Sequence, residues 1–160
     1  MSIQVGDSIP QAALNYLQDG VKTLSTEELF NDSKVVLFAV PGAFTPTCSA
    51  RHLPSYVEKM EEFRQRGIKV ACMAVNDAFV MGAWGKQNQT PADLYMLADG
   101  NAEFTKALGL ELDASGFGMG LRSKRFALYA ENGVVKSLWL EAPGEFKVSS
   151  ADHVLSNIAS

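Results

Sequence analysis

The chain has 160 residues, 47% hydrophobic and 20% charged, a balance that suits one globular domain, taken as residues 1–160, able to fold without cross-links. A net charge of -4 leaves no basic surplus to neutralise phosphates, so nucleic acid is not an expected partner. No apolar run approaches the roughly 20 residues that span a bilayer, residues 1–10 lack the basic and apolar regions of a signal peptide, and two cysteines, Cys48 and Cys72, are too few for a disulfide scaffold; no membrane association and a reducing cytoplasm are expected.

Ser25-Thr26-Glu27-Glu28 has the Ser-x-x-Glu spacing of a capping box and predicts a short helix. Residues 34–40, Lys-Val-Val-Leu-Phe-Ala-Val, form a near-continuous apolar run, the pattern of a strand covered on both faces. Residues 41–47 follow as a stiff loop. A helix is expected from about Cys48 to Arg66, kinked at Pro54, where proline removes a donor and crowds the preceding turn, and ended by Gly67. Residues 69–75 predict a second buried strand, and Asn76-Asp77 could cap a helix reaching about Gln87. Residues 94–98 predict a third strand, and 102–108 a short helix stopped by Gly109. Residues 123–130 and 134–140 alternate on either side of Glu131-Asn132-Gly133, and Asn-Gly between two such runs signals a hairpin. Ser149 or Ser150 then caps a last helix to Ile158. Strands alternating with helices imply parallel pairing by right-handed crossovers, and the closing hairpin adds antiparallel strands. The expected fold class is α/β, with a mixed central sheet and helices on both faces.

Chemistry concentrates in residues 41–48, Pro-Gly-Ala-Phe-Thr-Pro-Thr-Cys. Cys48 stands where a loop leaving a parallel strand turns into a helix, and sites in open α/β sheets gather beyond the carboxyl ends of strands. The first turn of a helix has unpaired N–H groups and a partial positive charge, which favour thiolate over thiol, and the thiolate is the reactive form. Pro46 stiffens the approach, and Thr45, three residues before the sulfur, brings a hydroxyl able to donate or accept.

Pro41-x-x-x-Thr45-x-x-Cys48 matches the peroxiredoxin active-site pattern Pro-x-x-x-Thr-x-x-Cys at each fixed position. The nine residues 41–49, with His52-Leu53-Pro54, residues 75–80, Trp84-Gly85 and Arg122-Ser123-Lys124-Arg125-Phe126, resemble the type II, peroxiredoxin-five-like subfamily. The resemblance implies a thioredoxin-like fold and a thiol peroxidase acting on hydrogen peroxide and small alkyl hydroperoxides. It also implies a homodimer that meets near the active-site loops, and no metal and no bound cofactor. It implies an arginine on a distant strand beside the thiolate. Arg125 is the matching position and Arg122 the close competitor; arginine suits the role because it stays charged and offers a rigid donor fork. On this reading Cys48 attacks the peroxide, Arg125, Thr45 and the Cys48 N–H donate to its oxygens, and Pro41 shields the sulfur from water.

Plainer readings stand beside these. Cys48 could be an inert buried thiol, Thr45 a helix cap, and Arg125 an edge-strand surface charge. Cys72, in the middle of an apolar strand, reads as a core thiol, and the pair is not C-x-x-C. His52 lies four residues after Cys48; two ligands are too few for zinc, so packing or a hydrogen bond near the site is expected. Gly116-Phe117-Gly118-Met119-Gly120 follows no strand and opens no helix, and reads as a mobile loop rather than a phosphate cradle. Phe44, Phe79 and Trp84 are either core or association surface.

Some type II relatives carry a resolving cysteine near the C-terminal helix. Here residues 146–152 read Phe-Lys-Val-Ser-Ser-Ala-Asp, with no thiol. An external thiol is therefore expected to restore Cys48, glutathione with glutaredoxin, with thioredoxin as the alternative. Two other functions compete: a peroxide-sensing or chaperone-like binding protein that uses Cys48 as a switch, and a general thiol-disulfide oxidoreductase.

Overall fold

The computed structural model describes residues 2–158. The elements run β1 (Ala13–Leu17), β2 (Val21–Ser25), α1 (Thr26–Phe30), β3 (Lys34–Ala39), a π-turn (Cys48–His52), α2 (Leu53–Gln65), β4 (Ile68–Ala74), α3 (Ala78–Gln87), β5 (Leu94–Ala98) and α4 (Glu103–Leu108). They continue with β6 (Glu111–Asp113), a 3-10 turn (Ser115–Phe117), β7 (Leu121–Ser123), β8 (Phe126–Glu131), β9 (Val134–Leu140) and α5 (Ala151–Asn157).

Seven strands form one mixed sheet in the order β2-β1-β5-β4-β3-β8-β9, with β3, β4 and β5 parallel and the flanking pairs antiparallel. Period-two alternation along β3 explains why the sheet is covered twice. Val36 and Phe38 pack on one face with α2, α3 and α5 (Leu53, Tyr56, Phe63, Met81, Trp84, Val154), while Val35, Leu37 and Ala39 pack on the other with α1 and α4 (Phe30, Phe104, Leu108). Each such side chain contributes about 1.5–3 kcal/mol on burial. The mixed sheet with helices on both faces is therefore as the pattern implies, and its thioredoxin-like architecture is as the resemblance implies.

Several elements differ from the sequence reading. The hairpin of β1 and β2 was not among the expected elements, although Asp19 (φ 53) and Gly20 (φ 101) make the left-handed turn that an Asp-Gly pair signals. The glycine-rich segment 116–120 is a loop opened by a 3-10 turn, but contrary to expectation it does follow a strand: β6 and β7 pair on either side of it, Glu111 with Ser123. The expected strand 123–130 is split, leaving Lys124 and Arg125 between β7 and β8. The helix after Cys48 opens as a π-turn, the Leu53 N–H reaching back to the Cys48 carbonyl, and α2 takes over with Pro54 in its first turn. The irregularity expected at Pro54 is thus a change of helical register that begins at the cysteine itself.

Candidate active site

β3 delivers the chain to the loop 41–47 at the carboxyl end of its parallel pair with β4. Phe44 takes a left-handed conformation (φ 66), and the Asn76 side chain, from the loop after β4, accepts the Ala43 N–H at 3.0 Å. Asn76 therefore ties two strand-end loops together, and Asp77 alone caps α3, accepting from the Val80 N–H. The Thr45 hydroxyl donates to the Gly42 carbonyl at 2.7 Å, and the Thr45 carbonyl accepts the Ser49 N–H at 2.9 Å. Trp84 Nε1–H donates to Ser49 Oγ from α3. The loop is thus pinned on three sides, and Cys48, the first residue of the π-turn, is fully buried.

Antiparallel pairing of β8 with β3 sets Phe126 opposite Ala39, so Arg125 lies beside the exit of β3. Its Nη2–H donates to Cys48 Sγ at 3.0 Å, and its Nη1–H donates to His52 Nδ1 at 2.8 Å. A guanidinium is always a donor, so Nδ1 is the lone-pair nitrogen. His52 Nε2–H then donates to the Ser149 carbonyl at 3.1 Å, where Tyr56 Oη–H also donates at 2.7 Å. Burial, reinforced by the Arg125 charge, brings the His52 imidazole down from 6.5 to about 3, so it is neutral at physiological pH.

Ser149 is itself fixed. The buried Glu141 carboxylate, just past β9, accepts from the backbone N–H groups of Lys147, Val148 and Ser149 and from the Ser149 hydroxyl, at 2.7–2.9 Å. Burial alone would raise this carboxyl, but these donors outweigh it and leave it below the usual carboxylate range. Phe146, on the same strap, packs 4.9 Å from the His52 ring and lies over the Arg51 guanidinium. A cleft of about 480 Å³, the size of a small-ligand pocket, runs past Pro41, Thr47, Lys124 and Arg125, with Leu112 and Leu140 as its apolar walls. Among the described residues, no three His, Cys, Asp or Glu side chains converge in a way that could hold a metal ion.

The Redoxin family model matches residues 4–155. The chain is 51% identical to peroxiredoxin-2E-2, chloroplastic, of Oryza sativa subsp. japonica, covering 96% of this chain and 72% of that relative. It is 46% identical to peroxiredoxin-2B of Arabidopsis thaliana, covering 96% of both. The crystal structure of reduced Prx3 in complex with hydrogen peroxide from Vibrio vulnificus superimposes with a TM-score of 0.92 at 50% identity, over 96% of this chain and 98% of that one. The chain belongs to the peroxiredoxin family.

It is a type II peroxiredoxin and therefore a peroxidase, an oxidoreductase that uses a thiol to reduce peroxide. In this peroxiredoxin Arg125, not Arg122, reaches the sulfur; Arg122 Nε–H donates instead to the Met119 carbonyl. Pro41 lines the cleft beside Thr47 and Arg125. Thr45 makes no side-chain cap: its hydroxyl donates to the Gly42 carbonyl, the Ser49 N–H is taken by its backbone carbonyl instead, and its side-chain oxygen is left free to accept. Cys72 sits mid-strand in β4, opposite Phe38, fully buried and free, and burial together with the nearby Cys48 pushes its thiol well up. His52 does make the hydrogen bond expected of it, but to the arginine itself. Glu141 and Asn76 were not singled out as site residues; their partners are loop N–H groups, which leave no mark in sequence spacing.

Proposed function

We propose that Cys48 is the nucleophile of this peroxidase, that Thr45, Arg125 and Pro41 complete its site, and that hydrogen peroxide and small alkyl hydroperoxides are its substrates. The observation that carries this reading is the Arg125 Nη2–H to Cys48 Sγ contact at 3.0 Å in a buried setting, where a charge-assisted hydrogen bond is strong. The thiolate attacks the terminal peroxide oxygen. An S–O bond forms and the O–O bond breaks; the proton of the attacked oxygen passes to the leaving oxygen, which departs as alcohol or water, and the sulfur, oxidised to a sulfenate, takes a proton from solvent to become the sulfenic acid. Arg125 and the helix-start N–H groups hold the negative charge as it passes from sulfur to the leaving oxygen. Thr45 Oγ1 accepts the peroxide O–H, a role its bond to Gly42 leaves open. Pro41 closes the rim against water.

The resolving thiol comes from outside the chain. Cys72, in β4 beneath the site, is held among apolar neighbours with its thiol kept protonated by burial, and no cysteine follows it in the sequence. Glutathione attacks the Cys48 sulfenic acid through the cleft at Pro41 and Lys124, expelling water and leaving a mixed disulfide, which glutaredoxin reduces. The compartment is one kept reducing, as a cytoplasm is. A homodimer meeting at the active-site loops accounts for the exposed Phe44 (47%) and Phe79 (63%), apolar surface beside the site that a second copy would cover. Peroxide consumption is measured with each reductant supplied separately. Sustained turnover with glutathione plus glutaredoxin and no turnover by Cys48→Ser supports the reading. Fast turnover with thioredoxin and its reductase alone overturns the choice of reductant. A rate no better than free cysteine overturns the site in favour of a sensor.

A further inference from the structure

His52 is a buried ionisable side chain at the reacting sulfur that the mechanism above leaves without a task. Its surroundings are built. The ring centroid lies 5.0 Å from that of Phe38 and 4.9 Å from that of Phe146, both rings tilted to it, so aromatic packing restricts its rotation. Its two nitrogens face different partners, the Ser149 carbonyl at Nε2 and Arg125 Nη1 at Nδ1. Ser149 is in turn clamped by the Glu141 carboxylate. We propose that His52 is a positioning residue that holds one arm of the Arg125 guanidinium, so that the other arm is aimed at Cys48 Sγ and the peroxide oxygens. This rests on the role given to Arg125 above.

The chemistry of the imidazole fits that task better than the usual partner of arginine. A carboxylate on Nη1 would also orient the guanidinium, but it would cancel much of the positive potential the sulfur needs. A neutral imidazole offers a directional acceptor with no charge, and burial keeps it neutral. The nearby carboxylate, Glu141, is one step further back and is saturated by four donors of the strap, 147–149. The order is therefore Glu141, Ser149, His52, Arg125, Cys48. The first three members set direction and the fourth carries charge. A planar fork with one arm fixed loses little further freedom when the other engages the transition state.

Isosteric substitutions separate the two ends of the ring. His52→Asn places an acceptor oxygen where Nδ1 stood. His52→Gln reaches the Ser149 carbonyl with an amide N–H and leaves Arg125 without its partner. His52→Leu removes both. Second-order rate constants for hydrogen peroxide are measured by stopped flow alongside thermal melts. His52→Gln and His52→Leu are expected to fall roughly 10- to 100-fold, the loss of one hydrogen bond to a charged group, and His52→Asn roughly threefold or less. In an Arg125→Ala background, His52→Gln is expected to slow the enzyme no further, because what it positions is gone. An equal slowing by His52→Gln in both backgrounds, or His52→Asn as slow as His52→Leu at matched stability, overturns the proposal. Arg125→Ala itself without effect instead overturns the site assignment beneath it. Nitrogen NMR of the folded wild type reads the same point without any variant. A bare Nδ1 and a protonated Nε2 are expected at His52, and an Nδ1–H tautomer or an imidazolium overturns the proposal.

Discussion

Cys48 and Cys72 are both fully buried, both free, and both pack into the same core on the α2 side of the sheet. They differ in what stands beside them. Cys48 lies past the end of β3, at the start of a π-turn, with a guanidinium nitrogen 3.0 Å from its sulfur. Cys72 lies inside β4 between Phe38 of β3 and Met96 of β5, and has Tyr56 close by in α2. Burial alone stabilises a thiol, and the Cys72 thiol is pushed up accordingly. On the proposed reading, the sulfur that reacts is the one to which the fold also brings a cation. Position in the sheet decides this, since irregular backbone at a strand end admits a side chain from another element, and the middle of a ladder does not.

The largest contrast is in turnover. Cys48→Ser is expected to abolish peroxidase activity to the level of the uncatalysed reaction while leaving the melting temperature nearly unchanged, measured by peroxide consumption and calorimetry. Next comes the cation. Arg125→Ala removes the charge-assisted donor to the sulfur and is expected to lower the second-order rate constant by roughly 10²–10³, the cost of removing a preorganised donor. Arg122→Ala, which loses a hydrogen bond to the Met119 carbonyl and the packing of its guanidinium over Gly42, should stay within about tenfold of wild type, on the scale of a single ordinary hydrogen bond. Equal effects from the two arginines would break the comparison, because Cys48 would then owe its reactivity to something other than the group beside it.

How far the sequence carries these two cysteines follows from the range of the interactions. The loop 41–48 is contiguous, so its strand-loop-helix character and the placing of Cys48 are legible, as is the turn at Asn132 and Gly133, where β8 and β9 meet as expected. Arg125 and Arg122 are three residues apart, the first just before β8 and the second in β7; the resemblance points to Arg125, and the pairing of Phe126 with Ala39 shows why it is the one that arrives at the sulfur. The bond of His52 to Ser149 spans 97 residues and ends on a backbone carbonyl, a group every residue has. The hairpin of β1 and β2 escaped because its strands are short, lie at the sheet edge and carry polar residues such as Asn15, Lys22 and Thr23, although the Asp19-Gly20 turn was there to be read.

The surroundings of Cys48 also set a pH dependence that those of Cys72 do not. Unfolded His52 binds a proton near pH 6.5, whereas the folded protein keeps it neutral down to about 3. The stability this contributes is fully present above pH 6.5 and is lost as pH falls toward 3, at up to about 1.4 kcal/mol per pH unit. The Glu141 carboxyl, held below its usual range, acts in the same direction, but only at pH near and below its unfolded value of 4.5. Chemical denaturation of wild type between pH 7 and 5 should therefore show a slope that His52→Asn flattens. An unchanged slope would mean that His52 is already charged in the folded protein, or that other groups titrate in its place.

The smallest effect on catalysis is expected from Cys72→Ser, and it bears most directly on the comparison. The substitution exchanges a sulfur, content among apolar neighbours, for a hydroxyl that needs a hydrogen-bond partner in the middle of a parallel ladder. A buried hydroxyl without a partner costs about 1–3 kcal/mol on mutational scales, so the melting temperature should drop. Turnover should remain within about twofold of wild type, since Cys72 touches neither peroxide nor reductant in the scheme above and a difference that small lies below a single weak hydrogen bond. A disulfide with Cys48 requires Cα atoms about 4.4–6.8 Å apart with their Cβ atoms facing, whereas here one sulfur belongs to a strand interior and the other to a helical turn packed over it. Mass mapping after a single peroxide turnover should accordingly find Cys48 oxidised or joined to glutathione and Cys72 still reduced. A Cys48–Cys72 bridge, together with loss of thioredoxin-linked turnover in a folded Cys72→Ser protein, would make the second cysteine the resolving thiol. The contrast between the two sulfurs would then be one of order in the reaction rather than of reactive against inert.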